Sequence, residues 1–373
     1  MKRVDIVVVG AGMAGASLAA ELAPHASVVL LEAEALPGYH ATGRSAAFWT
    51  ESYGGPGVQP LTSASGDFLR APPANFADRG FLTPRGALHL AGIDDHAALD
   101  AFEAHFAGSG IDLEPLDAAA MAARVPGLRP AAWTGLLEPS CCDIDVAALH
   151  AAYVRAARAG GAELLCSSPL RSAEREGGRW RIDAGEAVTL DAGVLVDASG
   201  AWADRVAGMA GVAPLGIRAY RRTIVQLRVA PAVPDGLPLV LDAAGRFYFK
   251  PETGGRLWLS PHDETPAPAG DAAPEEIDVA TAIDRMAAVV DWRVERVERA
   301  WAGLRSFAPD RLPVYGFDAA MPGFFWFAGQ GGFGIQTAPA AAKLGAALLL
   351  GTASDATVAG IDARCYAPGR LVG

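Results

Sequence analysis

Cysteine is scarce in this sequence. Four of the 373 residues are cysteines, at positions 141, 142, 166 and 365. Adjacent cysteines such as Cys141 and Cys142 rarely form a useful disulfide, and the chain has no Cys-x-x-Cys pattern that would hold a metal. We therefore expect reduced thiols, as in a cytoplasmic protein, and no metal site.

Basic charge is also in short supply. Lysine and arginine together number 31, against 42 aspartates and glutamates, which gives a net charge of −11. A nucleic-acid-binding surface would need a basic stripe, so we exclude nucleic acid as a partner. A small anionic substrate is not excluded, because one well-placed arginine can control a pocket on an acidic protein.

Long apolar runs are missing as well. The opening residues MKRVDIVVVGAG stop being apolar at the glycines and lack a small-residue cleavage site, so we interpret them as a strand and not as a signal peptide. The run AAAKLGAALLLG near the end is interrupted by Lys343 and is too short to span a bilayer. We expect no transmembrane segment.

A β-α-β unit begins the chain. Residues 5–9 (DIVVV) predict a strand buried on both faces, an Ala/Leu-rich helix follows through Leu22, and residues 27–32 (SVVLLE) predict a second buried strand. A further strand of the same sheet is predicted within residues 192–202, preceded by a hairpin pattern in residues 178–190. This arrangement is typical of a doubly wound α/β fold.

The turn between the first strand and the helix has the pattern Gly-x-Gly-x-x-Gly, with glycines at 10, 12 and 15. The first glycine permits a tight turn, the second lets the backbone approach a pyrophosphate, and the third lets the helix pack on the strand. Glu32 ends the second strand, about where a ligand of the ribose hydroxyls is expected. The pattern predicts a bound dinucleotide.

Segments of a different character separate the pieces of this fold. Residues 81–92, 218–230, 246–252 and 255–261 predict strands of an antiparallel sheet. The Pro-, Ala- and acid-rich residues 260–278 predict a surface excursion that leads into a helix.

We therefore predict two interleaved domains. The nucleotide-binding domain comprises residues 1–80, 145–215 and 310–373, and an antiparallel-sheet substrate domain comprises residues 81–144 and 216–309.

Four motifs, in order, resemble those of flavoenzymes in the D-amino-acid oxidase superfamily. They are GYHATGRSAA (38–47), VLVDASGAWADRVA (194–207), WAGLRSFAPDRLPVYG (301–316) and GQGGFGIQTAPA (329–340). The resemblance extends over essentially the whole chain. It is greatest to the D-arginine-dehydrogenase-like D-amino-acid dehydrogenases, with glycine and sarcosine oxidases as more distant relatives.

The resemblance implies that the dinucleotide is FAD. Together with the glycine turn and Glu32, it predicts these cofactor-binding residues: Gly10, Gly12, Ala14, Gly15, Glu32, Ala33, Thr42, Gly43, Arg44, Ser45, Ala46, Ala47, Ala198, Gly200, Trp202, Gly303, Gly331, Gly332, Phe333, Gly334, Ile335 and Gln336. Arg44 could neutralise phosphate. The turn at residues 329–334 has no Cys or His, so we expect FAD to be bound non-covalently.

The resemblance also implies substrate-binding residues. Arg222 and Arg305 occupy the positions of carboxylate-binding arginines, and an arginine fork suits a carboxylate because it donates two parallel hydrogen bonds. Arg221 and Arg222 are neighbours on a predicted strand, so only one of them can face the pocket. Tyr53 and Tyr248 match aromatic pocket positions.

Gln336, at the start of the last predicted helix, is a candidate contact for substrate or flavin. The N-terminus of that helix, preceded by Gly331, Gly332 and Gly334, could stabilise negative charge on the reduced flavin.

The pocket is predicted to favour small or apolar side chains. Phe48 adds apolar bulk, and Ala87 occupies the middle of a pocket segment that offers no acid, although an acid could enter from another loop. No protein base is evident, and His40 is expected to face the backbone.

The function implied is oxidation of the Cα–N bond of a D-amino acid by hydride transfer to FAD, followed by hydrolysis of the imino acid to a 2-oxo acid and ammonia. Sarcosine, glycine or other secondary-amine oxidation, 2-hydroxy-acid dehydrogenation and a non-catalytic flavoprotein are alternatives. An aromatic hydroxylase is disfavoured because the C-terminal third has no Gly-Asp flavin motif.

The sequence leaves the remaining partners open. The electron acceptor is either O2 or a quinone-type carrier, and a quinone would allow peripheral membrane association. We expect a monomer or weak homo-oligomer in the cytoplasm.

Overall fold

The computed structural model describes residues 1–372. The strands are β1 (Lys2–Val9), β2 (Val28–Leu31), β3 (Phe48–Trp49), β4 (Leu82–Pro84), β5 (Ala87–Ala91), β6 (Glu114–Leu116), β7 (Thr134–Glu138), β8 (Cys142–Ile144), β9 (Glu163–Leu165), β10 (Leu170–Glu176), β11 (Arg179–Ala184), β12 (Val188–Asp197), β13 (Arg218–Ala230), β14 (Leu239–Asp242), β15 (Tyr248–Glu252), β16 (Arg256–Ser260), β17 (Thr265–Pro266), β18 (Arg293–Phe307), β19 (Val314–Phe317) and β20 (Phe324–Ala328). The helices are α1 (Met13–Leu22), α2 (Gln59–Arg70), α3 (His96–Phe106), α4 (Ala118–Arg124), α5 (Val146–Ala159), α6 (Ala203–Met209), α7 (Glu276–Val289) and α8 (Ala338–Leu350).

The first sheet has β1 near its centre, in the order β10-β11-β12-β1-β2-β9, and β20 and β19 continue it beside β12. β1 pairs in parallel with both β12 and β2. Val7 and Val9 belong to a core that includes residues of α6, whereas Ile6 and Val8 belong to one that includes residues of α1 and α8. Burial on both faces explains the uninterrupted apolar run and confirms the predicted doubly wound fold.

The second sheet is mostly antiparallel and has the order β17-β13-β16-β15-β14-β5-β7-β6, with β18 paired to β13. β13 and β18 run antiparallel over most of their lengths, which sets Tyr220 opposite Arg305 and Arg222 opposite Gly303. α7 packs on this sheet through Ala282 and Met286, which share a core with Leu227. The pairing of β13 with β18 therefore brings two predicted site arginines, 83 positions apart in sequence, to one end of the sheet.

The two sheets alternate along the chain. Strands of the first sheet come from residues 2–31, 163–197 and 314–328, and those of the second from residues 87–138 and 218–307. A small third sheet, β3-β8-β4, carries Phe48. This alternation agrees in outline with two interleaved units, and the domain boundaries themselves stay a prediction.

Residues 261–275, which we call the strap, form the predicted surface excursion, since Pro261 alone among them is buried. Within them, β17 pairs with β13 through Arg221 opposite Thr265. The Asp263 carboxylate accepts hydrogen bonds from the Thr223 amide at 2.7 Å and the Thr223 hydroxyl at 3.0 Å. These contacts anchor the strap to the second sheet because β13 supplies an edge, and the predicted helix follows as α7.

Across residues 1–372, no helix is both long and apolar enough to cross a membrane.

Candidate active site

A cleft with about 390 Å³ of open space runs between the two sheets. Gly10 and Glu32 line it on the side of the first sheet, and Arg222, Arg305 and Gly332 line it on the side of the second. Most of the predicted cofactor residues line this cleft. They are Gly10, Gly12, Ala14, Glu32, Ala33, Thr42, Arg44, Ser45, Ala46, Ala198, Gly200, Trp202, Gly303, Gly331, Gly332, Gly334 and Ile335.

The glycine turn at the start of α1 is built for close approach. Gly10 has φ +100°, and a Cβ there would lie 2.6 Å from the carbonyl oxygen of Ala198. A Cβ at Gly15 would lie 1.8 Å from the carbonyl oxygen of Gly10. Side chains at these two positions would push helix and strand apart, so the backbone itself forms this end of the cleft.

Glu32 lies at the carboxyl end of β2, beside this turn. One carboxylate oxygen accepts from the Ala11 amide at 3.0 Å and the other from the Glu34 amide at 2.9 Å. Thr42, from the following loop, accepts through Oγ1 from the Met13 amide at 2.9 Å, at the first residue of α1. The acid is therefore held in a fixed orientation and still faces the cleft.

Five predicted cofactor residues do not line the main cleft: Gly15, Gly43, Ala47, Phe333 and Gln336. Gly15 packs on Gly10, and the Gly43 amide donates to the Gly38 carbonyl at 2.8 Å. Ala47 lines a small adjoining cavity, and Phe333 belongs to a hydrophobic cluster with Phe307. Their contacts support the turns that carry the lining residues.

Arg44 makes contacts that differ from the predicted phosphate role. Its guanidinium donates to the carbonyl oxygens of Ala272 at 2.9 Å and Ala302 at 3.1 Å, and it forms an ion pair with Asp271. These contacts tie residues 38–47 to the strap, because the strap presents both the Asp271 carboxylate and the Ala272 carbonyl to Arg44. The phosphate role stays a prediction.

His40 also differs from expectation. Its Nε2 lies 2.8 Å from a carboxylate oxygen of Glu34, and its ring is 4.7 Å from the ring of Trp202. The imidazole therefore contacts side chains instead of the backbone.

Arg222 is the most buried charged residue on the second-sheet side of the cleft, with 3% of its surface exposed. Its Nε donates to the Asp263 carbonyl at 2.7 Å and its Nη2 to Glu264 at 3.0 Å. Its Nη1 is buried and has no hydrogen-bond partner within residues 1–372. Burial, together with the neighbouring charge of Arg305, lowers the pKa of Arg222 from its ordinary value.

Arg305 faces the same space from β18. Its Nη1 donates to the Tyr53 hydroxyl at 2.6 Å. Among the described residues, no carboxylate comes within 4.0 Å of its guanidinium. Burial would raise the pKa of the Tyr53 phenol, but Arg305 and Arg222 outweigh burial and lower it below its ordinary range.

Arg221 points to the opposite face of β13, as strand alternation requires. It pairs with Glu275 and, at 2.8 Å, with Asp278. The sequence left open which of the two neighbours faces the pocket, and the structure places Arg222 there.

Gly332 brings the last turn against the arginines. A Cβ at this position would lie 2.8 Å from Nη1 of Arg305 and 3.0 Å from the hydroxyl oxygen of Tyr53. The absence of a side chain therefore lets the 331–334 turn and the Arg305–Tyr53 pair occupy the same small volume.

A small cavity of about 20 Å³ adjoins the main cleft. It is lined by Phe48, Tyr53 and Tyr248, among others, and has room for about one water molecule. The Tyr248 hydroxyl is buried and has no partner among residues 1–372. A polar group that enters this cavity could therefore satisfy it.

Ala87 does not line either cavity. It is fully buried in β5, in one cluster with Phe48 and Tyr248. Every residue of β5 is buried because both faces of the strand are covered: Ala87 packs with Phe48 and Tyr248, whereas Leu88 and Leu90 pack in the core of the opposite face. Ala87 therefore cannot report on the acidity of the pocket.

Gln336 was predicted at the start of the last helix. It lies two residues before the first residue of α8, Ala338. Its side-chain nitrogen donates to the Tyr53 carbonyl and to Thr62 Oγ1, both at 3.0 Å. Its oxygen accepts from the Thr50 amide at 3.3 Å. The amide thus fixes the 50–53 turn that carries Tyr53, and direct contact with substrate or flavin stays a prediction.

Two residues of the strap lie beside Arg222 and Arg305 and were not among the predicted site residues. Glu264 pairs with Arg222. The His262 ring lies 5.7 Å from the ring of Tyr248 and 6.4 Å from that of Tyr53. The strap has no periodic pattern, so its position against β13 could not be predicted; the acids within it were the one available signal.

His262 is held as a neutral imidazole. Its Nδ1 is 2.6 Å from the Gly245 carbonyl oxygen, which fixes that nitrogen as the donor. Burial, followed by the charges of Arg222 and Arg305, lowers the pKa of His262 to about 3.

The match of the sequence to a family model identifies the family of the chain. Residues 5–348 match the family DAO, FAD dependent oxidoreductase, and the chain belongs to that family. FAD is accordingly its cofactor, and the glycine turn, Glu32 and the long cleft fit this dinucleotide.

One curated relative is the hydrogen cyanide synthase subunit HcnC of Pseudomonas aeruginosa, 28% identical over 207 residues. The match covers 52% of this chain and 46% of the relative, so the chain spans about half the length of the curated relative it matches.

Solved structures share the fold across nearly the full chain. A glycine oxidase from Geobacillus kaustophilus has a TM-score of 0.83 at 24% identity and covers 96% of this chain and 98% of its own. An L-proline dehydrogenase from P. horikoshii has a TM-score of 0.86 at 20% identity and covers 100% of this chain and 98% of its own. At these identities the likeness concerns the fold.

Proposed function

We propose that this protein oxidises the Cα–N bond of a D-amino acid with a small or apolar side chain. Bound FAD would supply the acceptor for the hydride, that is, two electrons and a proton, that leaves the substrate α-carbon. The amine loses a second proton to solvent, and the resulting imino acid hydrolyses to a 2-oxo acid and ammonia. The D configuration rests on the sequence resemblance to D-amino-acid dehydrogenases.

The observation that carries the proposal is the pair Arg222 and Arg305, which we call the arginine clamp. Arg222 has a buried, unpartnered Nη1, and Arg305 has no carboxylate within 4.0 Å among residues 1–372. Two guanidinium groups directed at one space repel each other unless an anion joins them. A substrate carboxylate supplies that anion and accepts charge-assisted hydrogen bonds from both arginines.

The tyrosines would orient the rest of the substrate. Tyr53 is fixed by its hydrogen bond to Arg305, and Tyr248 offers a buried hydroxyl with no partner among the described residues. With the carboxylate held by the clamp, these phenols limit rotation of the substrate about its Cα–carboxyl bond. Fixing the α-carbon in this way is the contribution that the protein makes to hydride transfer.

His262 favours an amine over a 2-hydroxy acid as the substrate. A hydroxy acid needs a base for its hydroxyl proton. The histidine beside the clamp donates through Nδ1 to Gly245, and a pKa of about 3 makes it a weak proton acceptor at neutral pH. An amine can lose its proton to solvent before the hydride leaves, so its oxidation needs no protein base.

The size of the small cavity favours a second candidate, glycine or a small secondary amine such as sarcosine. About 20 Å³ of open space leaves no room for a long side chain unless the wall moves. One structural relative is named as a glycine oxidase. The resemblance to D-arginine-dehydrogenase-like enzymes would require a longer pocket.

The test is anaerobic reduction of the bound flavin, followed by its absorbance. D-alanine, L-alanine, D-arginine, glycine, sarcosine and D-lactate are mixed separately with the purified holoprotein. We expect rapid reduction by D-alanine and none by L-alanine or D-arginine. Reduction by glycine or sarcosine alone would support the second candidate, and reduction by D-lactate alone would contradict amine oxidation.

A matched pair of reoxidation measurements would identify the acceptor. The reduced protein is mixed with air-saturated buffer or, anaerobically, with a soluble quinone. The acceptor is open between O2 and a quinone-type carrier, and reoxidation that is faster with quinone would identify a dehydrogenase. Reoxidation that is faster with O2 would identify an oxidase instead.

A further inference from the structure

Glu138, the last residue of β7, is a fully buried carboxylate that lines neither cavity. One oxygen accepts from the Glu51 amide at 2.7 Å and from the Ser140 hydroxyl at 3.4 Å. The other accepts from the Ser52 hydroxyl at 2.5 Å and lies 3.5 Å from Nε2 of His89. Within residues 1–372 no lysine or arginine pairs with this acid. A buried carboxylate without such a partner depends on its hydrogen bonds, so the contacts to residues 51 and 52 are costly to break.

The 50–53 turn is held from two sides. Gln336 contacts its first and last residues, at the Thr50 amide and the Tyr53 carbonyl. Glu138 contacts the two residues between them. The backbone that leads into Tyr53 therefore cannot shift without losing hydrogen bonds to Glu138 or Gln336.

The hydroxyl of Tyr53 has little freedom at the other end of the side chain. It accepts from Nη1 of Arg305 at 2.6 Å, and a Cβ at Gly332 would lie 3.0 Å from it. Tyr53 and Arg305 both line the small cavity. A displacement of the turn would therefore be passed on to the Arg305–Tyr53 pair and to the space where the substrate is proposed to bind.

We propose that Glu138 is a positioning residue that sets the place of the Tyr53 hydroxyl beside Arg305. Its role is to accept hydrogen bonds from the turn, and it does not touch the substrate. This inference rests on the proposed function, because it requires that the arginine clamp and Tyr53 bind the substrate.

Steady-state kinetics with D-alanine gives the first readout. Glu138→Ala removes the acceptor of the Glu51 amide and the Ser52 hydroxyl and should lower kcat/KM about 10²-fold, because Tyr53 and Arg305 are misplaced. Glu138→Gln keeps an oxygen for the amide and a nitrogen that can donate to the Ser52 oxygen, so kcat/KM should stay within about threefold. Ser52→Ala removes one of the two donors and should lower kcat/KM about fivefold, which keeps the test available if Glu138→Ala does not fold.

A double substitution separates positioning from a general loss of structure. Tyr53→Phe alone should lower kcat/KM at least as much as Glu138→Ala does. Adding Glu138→Ala to Tyr53→Phe should then change kcat/KM by less than about threefold, because the hydroxyl through which Glu138 acts is already gone. A further loss of about 10²-fold, as expected for two independent sites, would contradict the proposal.

The pKa of the Tyr53 phenol gives a second readout, which needs no substrate. Although burial raises this pKa, Arg305 and Arg222 lower it below its ordinary value. Glu138→Ala should let the hydroxyl move away from both arginines, so the pKa should rise by about one pH unit, whereas Glu138→Gln should leave it unchanged. NMR of protein labelled with ¹³C at the phenolic carbon of tyrosine measures it, and the resonance that is absent from Tyr53→Phe identifies Tyr53.

Asp318→Ala is the matched control. Asp318 also holds a turn, through the amides of Ala320 and Met321, both at 2.9 Å, but this turn joins β19 to β20 and lines neither cavity. The substitution should lower the melting temperature and leave both kcat/KM and the pKa of Tyr53 at their wild-type values.

The failures of the two proposals are distinguishable. If D-alanine reduces the wild-type flavin but Glu138→Ala keeps the wild-type kcat/KM and the wild-type pKa of Tyr53, the role of Glu138 is wrong and the proposed function stands. Equal losses in Glu138→Ala and Glu138→Gln would also overturn it, because the charge of Glu138 would then matter and not its hold on the turn. If the pKa of Tyr53 responds as predicted but no amino acid reduces the flavin, the proposed function fails and the hold of Glu138 on Tyr53 stands.

Discussion

The two ends of the cleft are built from different parts of the chain. The first-sheet end is mostly backbone, formed by a glycine turn and the first residues of α1, and its one acid, Glu32, is held by two backbone amides. The second-sheet end consists of long side chains from β13, β18, the 50–53 turn and the strap. A local sequence pattern specifies a backbone site, whereas a side-chain site exists only after distant strands have paired.

The largest effect is expected at the side-chain end, from the neighbours Arg222 and Arg221. Arg222→Met should lower kcat/KM for D-alanine by about 10³-fold, because it removes charge-assisted hydrogen bonds to the carboxylate. Arg221→Met loses the contacts with Glu275 and Asp278 instead, so it should lower the melting temperature and leave kcat/KM within about threefold.

Steady-state kinetics and thermal unfolding of both variants check this contrast. Equal losses of kcat/KM in the two variants would remove the distinction between the faces of β13. The account of the clamp would then be wrong.

A smaller effect is expected at the backbone end. Gly10→Ala places a Cβ 2.6 Å from the Ala198 carbonyl in a backbone with φ +100°, so the turn must shift away from its position beside the cofactor. We expect the dissociation constant for FAD to rise at least about tenfold. Fluorescence titration of the apoprotein with FAD measures it.

Gly208→Ala is the control for this substitution. Gly208 lies in α6, and a Cβ there meets nothing within 4 Å. Its FAD affinity should equal that of the wild-type protein. Unchanged affinity in Gly10→Ala would show that the turn tolerates a side chain and does not form the cofactor site in the way described.

Asp197 is the last residue of β12 and directly precedes Ala198, which lines the first-sheet end of the cleft. Burial raises the pKa of Asp197 to about 7, although Ser199 donates to one of its oxygens. The other oxygen is buried and unpartnered within residues 1–372. Between about pH 4 and pH 7 the folded protein keeps a proton that the unfolded chain releases, so this residue makes stability fall as pH rises.

Asp197→Asn removes that dependence. The variant should match the wild-type protein near pH 4 and exceed it above pH 7, by up to about 4 kcal/mol in the free energy of unfolding. Chemical unfolding at saturating FAD across this pH range measures the difference. A difference that does not change with pH would mean that Asp197 is already ionised in the folded protein.

The sequence predicted the backbone end well. The glycine turn and Glu32 lie where the motif required because strand, turn and helix are local structures. At the clamp end, the resemblance identified Arg222, Arg305 and Tyr53, and the structure brings the three together.

What could not be predicted depended on tertiary placement. Ala87 lies in a strand buried on both faces, and nothing in its local pattern distinguished the pocket face from the core face. Glu264 and His262 belong to a strap without periodicity, so only its pairing with β13 places them at the clamp. Arg44 contacts the same strap.

The central claim is that the arginine clamp binds the substrate carboxylate. The most direct measurement is the rate of anaerobic flavin reduction by D-alanine and by D-alaninamide, which lacks the carboxylate charge, in the wild-type protein and in Arg305→Met. We predict that the substitution slows reduction by D-alanine about 10³-fold and changes the already slow reaction of D-alaninamide by less than about fivefold. An equal loss with both substrates would contradict the claim, because Arg305 would then act on something other than the carboxylate.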